Sequence, residues 1–111
     1  MKFNHLSHMT KGWFAGAFEP NAYKTNDVEV AVKRFAKGAT EEAHYHKIAT
    51  EITVVVSGTV RMFNRIWKED DIVIAEPGDI TSFEAITDAV LTVLKIPGAL
   101  NDKYLSEKDR E

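Results

Sequence analysis

The chain has 111 residues, no cysteine and a formal net charge of -3. That leaves room for one domain and one modest core, and it excludes disulfides, thiolate metal sites and cysteine nucleophiles. Hydrophobic residues make up 44% and charged residues 28%, an ordinary globular balance; with no basic block, nucleic acid is not an expected partner, no run is apolar enough for a membrane or a signal peptide, and the lack of cysteine points to the cytoplasm.

Residues 1–11 are polar with scattered apolar positions and read as an N-terminal arm or edge strand. Residues 13–18, WFAGAF, read as strand, and Glu19-Pro20-Asn21 breaks it. Residues 28–35 alternate, with Val28, Val30 and Val32 on one face and Glu29, Ala31 and Lys33 on the other. Lys37-Gly38-Ala39 is a turn, 43–46 a short strand and 51–56 the central strand, carrying the β-branched run Thr53-Val54-Val55-Val56. Ser57-Gly58 suits a two-residue hairpin, because glycine accepts positive φ. That hairpin would set Val56 opposite Thr59 and Thr53 opposite Met62. Glu51, Thr53, Val55, Val60, Met62 and Asn64 would then share one face; Ile52, Val54, Val56 and Phe63 would share the other. A strand apolar on both faces needs cover on both. In so small a domain a second subunit supplies it, so a homodimer is expected. Turns at Glu69-Asp70-Asp71, Pro77-Gly78-Asp79, Thr87-Asp88 and Pro97-Gly98 delimit strands at 72–75, 81–85 and 89–96. The charged tail, 98–111, is frayed or forms one short C-terminal helix. Frequent turns without helical period predict an all-β sandwich or barrel.

Chemistry concentrates between Gly38 and Gly58. His44 and His46 are two apart on a strand, so they point to one face while Tyr45 points away. Glu51 opens the following strand and can offer an oxygen beside them. Two histidines and one carboxylate, with positions left open, form the facial set favoured by non-haem Fe(II); the set also suits Mn, Ni, Co or Zn. Open positions can hold water or polarise a substrate oxygen. Histidines are common on surfaces, so His-x-His alone says little. Glu51 at the head of a buried strand says more, because buried carboxylates need partners.

The stretch resembles the first motif of the cupin superfamily: glycine, five residues, His-x-His, three or four residues, glutamate, six residues, glycine. Gly38, His44, His46, Glu51 and Gly58 fill every position. The resemblance implies a small single-domain jelly-roll β-barrel with a metal-capable pocket at its mouth. It spans about residues 28–96. The second motif is incomplete. Asp70 stands where its first glycine would be, Thr81 takes the histidine position and Ala85 the asparagine position. The usual fourth ligand is therefore missing. Three outcomes follow: His44, His46 and Glu51 hold one divalent metal alone; His5 or His8 from the arm completes the set; or the metal is lost and the pocket is reused.

On the expected register Thr53, Met62, Asn64, Thr81 and Phe83 line that pocket. Met62 and Phe83, each taken alone, read first as core, whereas an inward Asn64 or Thr53 needs a reason. Three functions compete. One is a mononuclear metal-dependent enzyme (oxygenase, isomerase or lyase) acting on a small polar molecule such as a sugar or a hydroxy or keto acid, with Glu51 and His46 catalytic. The second is a non-catalytic small-ligand-binding module. The third is a metal-free sugar isomerase or epimerase using His46 and Glu51 as an acid/base pair.

Overall fold

The computed structural model describes residues 1–106. Among them the only helix is a 3-10 turn, Leu6–His8, at the expected N-terminal arm. The strands are β1 (Trp13–Gly16), β2 (Tyr23–Lys24), β3 (Glu29–Phe35), β4 (Thr40–His46), β5 (Thr50–Ser57), β6 (Thr59–Met62), β7 (Arg65–Lys68), β8 (Ile72–Ala75), β9 (Thr81–Ala85), β10 (Ala89–Ile96) and β11 (Lys103–Leu105). They form two sheets, ordered β2-β1-β3-β10-β5-β8 and β11-β4-β9-β6-β7. This is an all-β, cupin-type jelly-roll barrel.

The sheets meet on alternate side chains, as a pleat dictates. Val55, Leu91 and Val93 from the first sheet pack on Val60, Met62, Phe83 and Ala85 from the second. Phe35 joins them, its ring centroid 4.6 Å from that of Phe83. On β3 the buried pair is Glu29 and Ala31, while the valines at 30 and 32 take the outer face. Glu29 is buried because its carboxylate accepts the Ala99 N–H at 2.7 Å. Burial of a carboxylate is tolerated when such a donor is present.

Two expectations are corrected. Ser57-Gly58 is not a hairpin turn. β5 pairs with β10 and β8, whereas β6 pairs with β7 and β9. The chain crosses between sheets at this point, so Thr53 does not pair with Met62. Both line the cavity between the sheets instead. The two-residue hairpin is Phe63-Asn64, between β6 and β7, and both residues have positive φ (52° and 56°). Asparagine tolerates that region better than most residues, but without glycine the turn carries a weak signal. The second correction concerns the tail. Residues 103–105 are strand, not helix, and pair with His44, Tyr45 and His46. The rest of the expected helix, 107–111, lies outside the described residues.

Candidate metal centre

β4 delivers His44 and His46 to the barrel interior, and β5 delivers Glu51. One potential ligand atom from each of the three falls within 4.8 Å of the others. His46 is 5% exposed, Thr53 2% and Thr81 5%, so the site is cut off from bulk water on its inner side. It opens into a cavity of about 230 Å³ lined by these residues and by Met62 and Phe83.

Backbone carbonyls orient both imidazoles. His44 Nδ1 lies 2.9 Å from the Glu42 carbonyl oxygen, and His46 Nδ1 lies 2.8 Å from the Asp102 carbonyl oxygen. A carbonyl only accepts, so each Nδ1 carries the proton and each Nε2 is left for chemistry. This is the arrangement that metal-ligating histidines need from their surroundings. His46 Nε2 lies 2.7 Å from Glu51 Oε2, so without an ion a shared proton holds the two together.

The electrostatics follow from these contacts. Burial lowers the His44 pKa, against the opposing pull of the Glu42 carbonyl, and so favours a neutral ring. The hydrogen bond to Glu51 raises the His46 pKa above its ordinary value, burial works against it, and the Asp102 carbonyl adds to the rise. Burial alone would raise the Glu51 pKa, but the hydrogen bond and charge of His46 bring it below the usual glutamate value. Each shift favours the charged form of its group, an imidazolium facing a carboxylate.

Asp102 escaped sequence reasoning. It is 4% exposed, and its carboxylate accepts the N–H groups of Lys47, Ile48 and Ala49 at 3.0–3.2 Å. Burial would raise its pKa, yet those donors hold it below the ordinary aspartate value. It therefore fixes the loop between His46 and Glu51 with its side chain and the His46 ring with its carbonyl. In sequence it is one acidic residue in a charged tail, 56 positions from His46, and nothing local marks it.

Thr81 does sit beside the centre, paired with His44 across β4 and β9. Its hydroxyl is already engaged: Oγ1 accepts the Phe63 N–H at 2.7 Å and donates to the Ser82 carbonyl at 2.7 Å. It anchors the Phe63-Asn64 turn and is not a fourth ligand. Asn64 is corrected as well, being exposed in that turn and absent from the cavity wall. His5 and His8 do not complete the set. Both are exposed; His5 Nδ1 contacts Ser7 Oγ at 2.7 Å, and His5 lines an adjoining groove with Leu6 and Met9, which meets the cavity wall at Lys33 and Glu41. Tyr45 stacks on Tyr104, ring centroids 5.5 Å apart.

Neither a protein-family model nor a curated protein matches the sequence. Solved structures do match the fold. An uncharacterized conserved protein with a double-stranded beta-helix domain from Klebsiella pneumoniae is 25% identical, with a TM-score of 0.68 over 75% of this chain and 73% of that one. KdgF from Halomonas sp. is 24% identical, with a TM-score of 0.61 over 68% and 74%. An RmlC-like cupin from Shewanella frigidimarina is 21% identical, with a TM-score of 0.61 over 70% and 72%. The first motif is complete, its five positions are placed by the strands and turns just described, and the chain shares the double-stranded β-helix, cupin-type barrel fold of these structures.

Proposed function

We propose that this cupin binds one divalent transition metal through His44, His46 and Glu51 and uses the open side of that centre to bind or transform a small polar molecule. The observation that carries the reading is the fixed orientation of both histidines, each Nδ1 on a backbone carbonyl, with the His46 Nε2 turned to Glu51 and one ligand atom of each of the three residues within 4.8 Å of the others. To hold an ion, His46 would have to be neutral, with its Nε2 free of the proton it shares with Glu51. Three protein donors leave positions for water or substrate oxygen, and such an ion supplies Lewis-acid polarisation when bound. Fe, Mn, Ni, Co and Zn all suit the donor set. The cavity of about 230 Å³ is smaller than the roughly 300–1,000 Å³ of drug-sized pockets, so a molecule of a few carbons fits and a polymer does not.

A second reading is supported by the 2.7 Å contact between His46 and Glu51. A histidine paired with a buried carboxylate is a competent general acid/base without any metal. In that reading Glu51 holds the imidazolium and His46 passes a proton to or from a substrate in the same cavity.

Elemental analysis of protein purified without an affinity tag separates the two. Stoichiometric transition metal is expected in the wild type, with His44→Ala and Glu51→Ala each reducing retention by about tenfold or more. Wild-type protein that stays metal-free after exposure to each of the five ions would sink the metal reading and leave the acid/base pair.

A further inference from the structure

Resting on the reading of this cavity as a small-molecule site, one feature of its wall narrows the ligand. Four lysines line it, Lys11, Lys33, Lys95 and Lys103, against three carboxylates, Glu41, Glu51 and Asp79. A divalent ion would add two further positive charges. Lysines are rarely turned inward unless something pairs with them, yet Lys33 on β3 and Lys95 on β10 project from the inner face of the first sheet. Both are braced on one ring: the Lys95 ammonium lies 4.8 Å and the Lys33 ammonium 5.4 Å from the Trp13 ring centroid. Phe35 flanks Lys33 at 5.7 Å. Glu41 approaches Lys33 only to 3.9 Å, and among the described residues Lys95 makes no ion pair within 4.0 Å. The Lys33 side chain is 16% exposed. Two ammonium groups are thus held beside the His44–His46–Glu51 centre, facing Glu41 at 3.9 Å from Lys33 and Glu51, which lies opposite Lys95 on β5 and is itself bonded to His46.

We propose that Lys33 and Lys95, braced on Trp13, form a carboxylate-binding subsite next to the metal centre, and that the molecule taken up there is a small organic acid anion. An ammonium offers donors and positive charge but no acceptor, which matches a carboxylate and serves a neutral sugar poorly. The cation–π contacts hold the lysine stems without consuming their N–H donors. A carboxylate lodged there also relieves the repulsion between the lysines and a divalent ion.

The test is a titration of isotope-labelled protein, metal-free and Zn-loaded, followed by amide NMR shifts. The probes are lactate and succinate, their neutral counterparts lactamide and succinamide, and glucose. The two acids are expected to shift the Lys33 and Lys95 amides at millimolar concentration. The neutral compounds should bind at least tenfold more weakly. Lys33→Gln and Lys95→Gln should each weaken acid binding at least tenfold, and Lys95→Arg should retain it. Absence of acid binding, equal binding of acid and amide, or unchanged affinity in both glutamine variants of native circular dichroism would overturn the subsite. Metal content is measured on the same samples. Protein that takes up Zn but no acid refutes the subsite alone. Acid binding that needs both lysines, in protein that takes up no metal, upholds the subsite and refutes the metal reading.

Discussion

At the scale of residues, His46 and Glu51 couple the site to pH. The His46 pKa is raised from 6.5 and the Glu51 pKa lowered from 4.5. The stabilisation from His46 is complete below its unfolded value and fades as pH rises through the folded one. That from Glu51 is complete above its unfolded value and fades as pH falls through the folded one. Metal-free protein should therefore melt highest between about pH 4.5 and 6.5 and lose stability on either side. A displacement of one pH unit is worth about 1.4 kcal/mol, or about 5 °C in a domain of this size. Glu51→Gln should flatten the alkaline limb in thermal melts; an unchanged profile would remove the ion pair. The triad was legible because motif spacing and strand alternation act locally. Thr81 was legible as a departure from the motif, but its bond to the Phe63 N–H depends on a hairpin that lacks glycine. Asp102 was not legible, since its role arises only when a distant segment folds back on the β4–β5 loop.

At the scale of elements, the two motif glycines do different work. Gly58 has φ of 88°, and a Cβ there would stand 2.2 Å from the Asp88 carbonyl oxygen and 2.8 Å from the Ala89 Cα. It lets the chain cross from one sheet to the other against the start of β10. Gly38 has φ of 89° and no atom within 4 Å of such a Cβ, so only its backbone conformation is demanding. Gly38→Ala should cost roughly 1 kcal/mol. Gly58→Ala should cost more, about 3 kcal/mol or above, because backbone must also move. Urea midpoints measure both, and equal losses would refute the crossing role. Strand positions were largely readable from alternation and turn residues. Strand partners were not: period-two patterning says which residues share a face but not which strand lies beside them. The hairpin expected at Ser57-Gly58 failed for that reason.

At the scale of the molecule, the first sheet has an aliphatic outer face. Ile72, Ile74 and Val56 are 59%, 57% and 46% exposed. Ile74 lies opposite Ile52, and Ile72 opposite Val54, with Leu94 beyond Ile52 on β10. A continuous patch of this kind is costly in water, and β8 is the edge strand of its sheet, so a second copy of this chain is the occupant we propose. Light scattering should give a dimer at micromolar concentration, and Ile72→Asp with Ile74→Asp should shift it at least tenfold toward monomer. A wild-type monomer under those conditions would rule the dimer out. Sequence already exposed this face, because β5 is apolar on both sides and only one side can meet the other sheet.

The place of β10 has a consequence in time. β3 and β5 do not pair with each other; each pairs along most of its length with β10, which lies between them and which the ribosome makes after both. Until β10 inserts, the strand bearing Glu51 has an open edge toward the sheet centre, and its aliphatic run is free to pair with another chain. Late insertion between distant partners is slow because loop closure precedes any gain in contact. The histidines and the glutamate are therefore made before the wall that holds them, and the site is complete only once β10 and the Asp102 segment behind it are in place.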